Sequence, residues 1–262
     1  MPFLSEIRMI ADTGDFPFSL PVFRSFDTLR LSTAVTFLVG ENGCGKSTLL
    51  EIVATAMRLP SLTQRSIDTH PLMEVARDAA AGFRFVRRGG RRAGFYFRAD
   101  DVTGFLQAVR RNAEEHGELA RHFEETLPEG WGRDRAAGLA RAQGRAFAER
   151  YGEDPFARSH GELFLDLFRA RLTGPGLYLL DEPEVPLSPT NQLALLAMIG
   201  DAAAAGSQFL IATHSPILMA LPGAVILDMD VSPPTPVPWE DVEHVAITRA
   251  FLSHPESFLR RL

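Results

Sequence analysis

The chain has 262 residues, of which 45% are apolar, and a formal net charge of −6. That length fits one large domain or one domain carrying an inserted lobe, with enough apolar residues for a substantial core. The acidic balance excludes a global cationic signature for nucleic acid or anionic membrane, so any such surface has to be local. The one cysteine, Cys44, permits no intramolecular disulfide, which fits a reducing compartment. Apolar runs fall short of the ~18 residues a membrane helix needs. Met1–Arg8 lacks the basic start and long apolar centre of a secretory signal. The expected location is cytoplasmic, and no internal repeat is present.

Residues 3–10 alternate loosely and predict a first strand. Thr13 to Pro21 reads as a loop rich in Gly, Pro and Phe. Phe16 or Phe18 in it could stack on an adenine, although a core or loop-anchor role is the favoured expectation for both. Leu29–Leu31 predicts a short strand feeding Ala34–Val39, an apolar, β-branched-rich run that reads as buried.

Gly40-Glu41-Asn42-Gly43-Cys44-Gly45-Lys46-Ser47 then matches G-x-x-x-x-G-K-[ST]. Thr48–Met57 follows with helical spacing of apolar residues. Strand, glycine loop and helix together are the context in which this pattern cradles phosphate. Glycines let the backbone wrap closely around phosphate oxygens. Loop and helix N–H groups then point at the anion, and the helix dipole favours negative charge there. Gly40, Glu41, Asn42, Gly43, Cys44, Gly45, Lys46, Ser47 and Thr48 are the candidate nucleotide contacts. Lys46 is expected on the β- and γ-phosphates, and Ser47 on Mg²⁺. The bland alternative is a glycine-rich turn closing a βα unit.

Arg58-Leu59-Pro60 ends that helix, because proline cannot continue it. A second helical stretch is expected over 70–82. Residues 83–98 form two alternating aromatic arms around Gly89-Gly90, which predicts a hairpin carrying six arginines. It reads either as a solvated strand face or as a contact for nucleic acid, an acidic partner or the nucleotide. Residues 101–158 are rich in Ala, Arg and Glu and predict an inserted helical lobe within one domain spanning 1–262.

Ser159 with Glu162 three residues on is a capping box, which by itself marks only a helix start. The same start offers free N–H groups and a positive dipole end to an anion. Gly176–Leu180 is an apolar strand run ending in Asp181-Glu182-Pro183. A phosphate loop needs a carboxylate for its metal, and Asp181 fits that role, with Ser47, as a Mg²⁺ ligand. Glu182, one residue on, is placed to polarise an attacking water. Gln208–Thr213 is another apolar run, ending in His214-Ser215-Pro216. His214, on the sheet edge where ligands bind, is a candidate contact to the γ-phosphate or the water. Val231–Pro238 reads as an extended linker to a last helical segment near Asp241–Phe251.

Phosphate loop, helical lobe, Ser-x-Gly-Glu, Asp-Glu and His-Ser-Pro occur in an order that resembles the ATP-binding-cassette (ABC) superfamily of ATPases, and within it the stand-alone ATPases described as AAA-family ATPases. The resemblance covers nearly the whole chain. It implies an α/β fold of the P-loop NTPase kind: a mostly parallel sheet flanked by helices, with an antiparallel N-terminal flank and the inserted lobe. It implies ATP and Mg²⁺ as cofactors, and two protomers sandwiching two ATP molecules head to tail. Glu182 would be the base and His214 the switch. Ser159 and Gly161 would contact the nucleotide of the other protomer, and Glu184–Ser188 would lie at the seam.

The sequence departs from this pattern twice. Its signature reads Ser-His-Gly-Glu where transporter ATPases carry Ser-Gly-Gly-Gln, and no glutamine loop follows the first lobe; Arg98 or Asp100 stands near its place. An ATP-hydrolysing dimer is therefore the leading expectation. A transporter's ATP-binding subunit is the alternative that both departures argue against. An SMC- or RecF-like DNA-maintenance ATPase is another, supported only by the arginines, and nucleic acid remains unsupported by net charge. A switch that holds ATP without turning it over is disfavoured by Glu182.

Overall fold

The computed structural model describes residues 2–12, 14–25, 27–61, 73–89, 93–99, 118–128, 130–139, 142 and 160–260. In chain order its elements are β1 (Leu4–Met9), α1 (Pro21–Ser25), β2 (Thr28–Arg30), β3 (Val35–Val39), α2 (Lys46–Met57), α3 (Glu74–Ala79), β4 (Phe83–Arg87) and β5 (Ala93–Arg98). After these come α4 (His160–Arg171), β6 (Gly176–Asp181), α5 (Pro189–Ala204), β7 (Gln208–Ala212), α6 (Pro216–Met219), β8 (Val225–Asp228), β9 (Thr235–Pro236), α7 (Glu243–Ser253) and α8 (Pro255–Leu259). The chain divides into two compact units, Met1–Ala99 with Ala170–Leu262, and Asp100–Arg169.

Every residue of β3, β6 and β7 is buried. A strand without an exposed face has to be covered on both sides, which is the setting of a parallel sheet. These strands form the middle of a six-stranded sheet of order β5-β6-β7-β3-β8-β9, parallel except at β9. In register across three strands, Phe95, Tyr178 and Phe209 make an aromatic row, with centroids 5.0 and 5.1 Å apart. Such pairs add ~0.5–1.5 kcal/mol each beyond area burial. Helix α2 lies against β6 and β7 through an apolar stripe that includes Leu49, Ile52 and Val53.

The N-terminal flank is antiparallel, as expected: a three-stranded sheet of order β2-β1-β4. Here Leu4, Ile7 and Leu29 face the core while Arg8, Thr28, Arg30 and Arg84 are exposed. The two sheets are joined by a side chain. Leu4 N–H donates to Gln208 Oε1 at 2.8 Å and Gln208 Nε2 donates to the Leu4 carbonyl at 2.7 Å, both buried. A glutamine amide thus serves as one rung of backbone pairing.

The hairpin expected at 83–98 does not form. β4 pairs antiparallel with β1, whereas β5 pairs parallel with β6 in the other sheet. The physical reason is burial. β4 has exposed Arg84 and Arg87 and suits a one-sided sheet, while Phe95, Tyr96 and Phe97 are consecutively buried and need cover on both faces. Gly94 fits this pairing, since a Cβ there would run into the Leu177 carbonyl. Two short strands, β8 and β9, had no equivalent in the sequence expectation.

In the second unit, residues 118–126 and 131–139 are helical, and the Arg135 guanidinium lies 4.9 Å from the Trp131 ring centre. Within α4, Phe164 and Phe168 pack at 5.9 Å. Most of the lobe expected at 101–158 falls outside the described residues, as do Ser159 and Asp100.

Candidate functional site

The phosphate-loop candidates lie between the buried end of β3 and the start of α2. Gly40, Gly43 and Gly45 all have positive φ, at 139°, 84° and 109°. A side chain at Gly45 would strike Val22, so the turn into α2 takes glycine both for its conformation and for space. The stem of Lys46 is buried, and its ammonium turns back over the loop. Nζ donates to the carbonyls of Gly40 at 2.7 Å and Glu41 at 2.8 Å. Cys44 Sγ lies 3.7 Å from that ammonium, and burial holds its thiol pKa above the usual value.

The end of β6 arrives beside the start of α2. Ser47 Oγ donates to Asp181 Oδ1 at 3.0 Å, across 134 positions of sequence. Tyr96 Oη donates more weakly to Asp181 Oδ2 at 3.4 Å. Burial pushes the Asp181 pKa up to about 6, against the opposing pull of the Ser47 hydrogen bond and the Arg98 charge. Arg98, in register with Asp181 on β5, is ion-paired with Glu51 at 3.0 Å.

Glu182 has a φ of 50°, in the left-handed region that non-glycine residues seldom occupy. Its N–H donates to the Ala212 carbonyl at 2.9 Å, which ties the turn after β6 to the end of β7. A strained backbone of this kind, where observed, points to a functional position. Glu182 lines a pocket of about 300 Å³ together with Gly43, Lys46, Ser47, Thr48 and Phe16. Of the two aromatic candidates, Phe16 is 57% exposed on this pocket. Phe18 is buried and stacked on Phe83 at 5.5 Å, a core residue.

Beyond β7, the backbone of His214 is held by Glu184, whose Oε1 accepts the His214 N–H at 2.6 Å. Ser215 caps α6 by accepting the Leu218 N–H at 3.2 Å, and its hydroxyl donates to Gln192 Oε1 at 2.6 Å. The His214 ring meets a second histidine: Nδ1 lies 3.0 Å from Nε2 of His244 on α7. Its other nitrogen, Nε2, is buried with no hydrogen-bond partner among the described residues. Burial first, then the charges of Lys46 and His244, hold the His214 pKa below the ordinary histidine value. The doubly protonated ring is thereby disfavoured.

Lys46, Ser47, Asp181, Glu182 and the glycine loop thus meet in one place, with His214 at the neighbouring strand end. Gly161 is buried in the first turn of α4, in the second unit, and Ser159 lies outside the described residues. Two positioning residues were not anticipated. Asp230 Oδ2 accepts the Glu41 N–H at 2.7 Å and fills the space a side chain at Gly40 would need. The signal was available, because an acid just beyond an apolar strand run was also what marked Asp181. His244 had no such signal.

The donor set suits a magnesium nucleotide. A hydroxyl and a carboxylate at 3.0 Å are the hard oxygens Mg²⁺ takes, and the glycine loop with Lys46 forms an anion cradle. Among the described residues no group of three or more His, Cys, Asp or Glu could cage a metal alone. Mg²⁺ sites of the phosphate-loop kind need only one or two protein ligands, with phosphate supplying more.

A family model described as "ABC transporter" matches residues 31–185, more than half of the chain. A second, described as an AAA domain and naming an AbiEii toxin of a type IV toxin–antitoxin system, matches residues 162–220. No curated protein matches. Among solved structures, an ATP-binding subunit of an ABC transporter is 20% identical over 86% of this chain and 85% of its own, with a TM-score of 0.44. An Smc head domain with an extended coiled coil, bound to the C-terminal domain of ScpA and derived from Pyrococcus furiosus, is 12% identical over 95% and 100%, with a TM-score of 0.45. An ATP-binding cassette of an ABC transporter in its ADP conformation is 17% identical over 87% of each chain, with a TM-score of 0.46.

Proposed function

The chain belongs to the ABC superfamily of ATPases, and from that premise we propose that it binds and hydrolyses Mg-ATP, with two protomers closing head to tail on the nucleotide. The observation that carries this is the 3.0 Å contact of Ser47 with Asp181, with Lys46, Ser47 and Glu182 lining one pocket. The hydroxyl opens a helix and the acid ends a strand 134 positions away, and structural economy alone would not bury a carboxylate there.

In this reading the loop N–H groups from Gly40 to Thr48 bind the phosphates, and Lys46 exchanges its two carbonyl partners for β- and γ-phosphate oxygens. Ser47 and Asp181 hold Mg²⁺, which supplies charge neutralisation of the transferred phosphoryl group. Glu182 orients the attacking water and accepts its proton. His214 holds a γ-phosphate oxygen through Nε2. Phe16 offers its exposed face to the base. Ser159 and Gly161 complete the site of the opposing protomer, and the unit Asp100–Arg169 is the lobe inserted in a single ATPase domain.

A DNA-linked role is the second reading, favoured by one observation. Glu6, Arg8, Arg30 and Arg84 share the outer face of the antiparallel flank, where Arg8 pairs across from Arg84 and Glu6 from Arg30. Among the described residues no helix is long and apolar enough to cross a membrane. One experiment tests both readings: ATP turnover against protein concentration, with and without duplex DNA. Turnover per protomer that rises with concentration is the expected result, and stimulation by DNA would bring the second reading forward. An absence of magnesium-dependent turnover at every concentration, with ATP still bound, would leave a binding switch instead.

A further inference from the structure

We propose that His244 is a positioning residue for His214: its Nε2–H donates to His214 Nδ1 and thereby fixes the His214 proton on Nε2. This rests on the ATPase reading for its purpose, but the tautomer it assigns can be observed without turnover.

The two ring nitrogens are 3.0 Å apart, and the rings meet edge to face with centroids 4.7 Å apart. Only one proton can lie on that line, so one ring donates and the other accepts. If His214 donated from Nδ1, its Nε2 would be a bare lone pair. That nitrogen is already buried and unpartnered among the described residues. Facing a phosphate oxygen, a lone pair repels, whereas an N–H forms a charge-assisted hydrogen bond. With His244 as donor, the orphaned atom becomes the N–H that an anion completes. The choice of tautomer matters because burial and the nearby Lys46 charge disfavour the doubly protonated imidazolium.

His244 is itself anchored by contacts other than the imidazole pair. Val242 and Val245, on either side of it, are buried. Trp239 Nε1 donates to the Pro216 carbonyl at 3.0 Å, so the tail grips the start of α6, two residues past His214. The Arg249 guanidinium lies 5.0 Å from the Trp239 ring centre, one turn and a little more along α7 from His244. Glu184 meanwhile fixes the His214 backbone from the other side. His214 is thus held by an acid at its backbone N–H and by a histidine at Nδ1, which leaves Nε2 to act. The arrangement follows the logic by which a ligating or catalytic histidine takes its tautomer from the partner of its other nitrogen.

The test uses the full chain. Long-range ¹⁵N–¹H correlation of the histidine rings, without nucleotide, reads the tautomer directly. The expected wild-type result is His214 protonated on Nε2 and not on Nδ1, with a mixture of tautomers in His244→Phe. In kinetics, His244→Phe is expected to lower kcat about tenfold, the scale of one lost hydrogen bond, with KM for ATP and Tm little changed. His244→Gln, whose amide N–H can stand where Nε2–H stood, is expected to restore most of the loss. His214→Ala combined with His244→Phe is expected to be no slower than His214→Ala alone. A His214 found protonated on Nδ1 in the wild type would overturn the assignment, as would full turnover in His244→Phe or additive losses in the double variant. Should the wild type show no ATP turnover at all, the ATPase reading falls, and the ring spectra still decide the role of His244.

Discussion

In the six-stranded sheet, β3, β6 and β7 are buried along their whole lengths; in the three-stranded sheet, buried residues are interspersed with half-buried and exposed ones. The two sheets therefore keep their polar residues in different places. Strands covered on both faces have nowhere to present chemistry except at their ends. The glycine loop, Asp181-Glu182 and His214 each follow directly at, or just beyond, the C-terminal end of such a strand. The antiparallel flank has a free face instead, and its arginines lie along it. Under the proposed ATPase reading this division assigns catalysis to strand ends, stability to strand middles, and neither to the flank's outer face.

Substitutions can break that division or sharpen it. Glu182→Gln should give the largest effect, a loss in kcat of ~10³-fold for the missing base, with ATP affinity and Tm retained. It should also accumulate an ATP-bound dimer, visible as a nucleotide-dependent shift in sedimentation. Phe209→Ala, in the middle of β7, should cost ~3–5 kcal/mol in denaturant unfolding while each folded molecule turns over normally. A matching loss of kcat there would show that strand middles and ends are not separable. Lys46→Ala should weaken ATP binding ~100-fold, through the loss of charged hydrogen bonds to phosphate, measured by calorimetry.

A smaller effect concerns pH. Asp181 has a raised pKa of about 6, so below that pH it carries a proton that the metal must displace. Mg-ATP affinity should be level above the pKa and fall by up to about tenfold per pH unit below it. Asp181→Asn should bind Mg-ATP poorly throughout and lose this part of the slope. The smallest effect belongs to the flank. Arg30→Gln with Arg84→Gln should leave turnover within ~2-fold and stability within ~0.5 kcal/mol. A larger change in turnover would show that the flank's face communicates with the strand ends.

Much of the parallel sheet was legible because buried strands print themselves as continuous apolar runs. Val35–Val39, Gly176–Asp181 and Gln208–Ala212 are of this kind, and each led straight to a polar cluster. The pairing of 83–98 was not legible, because Gly89-Gly90 is a local signal and partner choice is settled by distant strands, β1 for one arm and β6 for the other. Burial of three successive aromatics in β5 was the hint that the arms belonged apart. Within the site, the residues that a glycine loop demands by its chemistry could be named in advance. Two that merely hold others in place could not: Tyr96 against Asp181 and His244 against His214. Their roles depend on a contact geometry that no spacing encodes.

The amide of Gln208 has a consequence for how the molecule opens. Peeling β1 away from β7 would strand a buried carboxamide and a buried peptide group at once, each costing ~1–3 kcal/mol unless water replaces its partner. The arginine-bearing flank should therefore not fray independently. In native-state hydrogen exchange the Leu4 amide should be released together with those of β7, as one cooperative unit, and not with the exposed edge to which its position near the terminus would assign it.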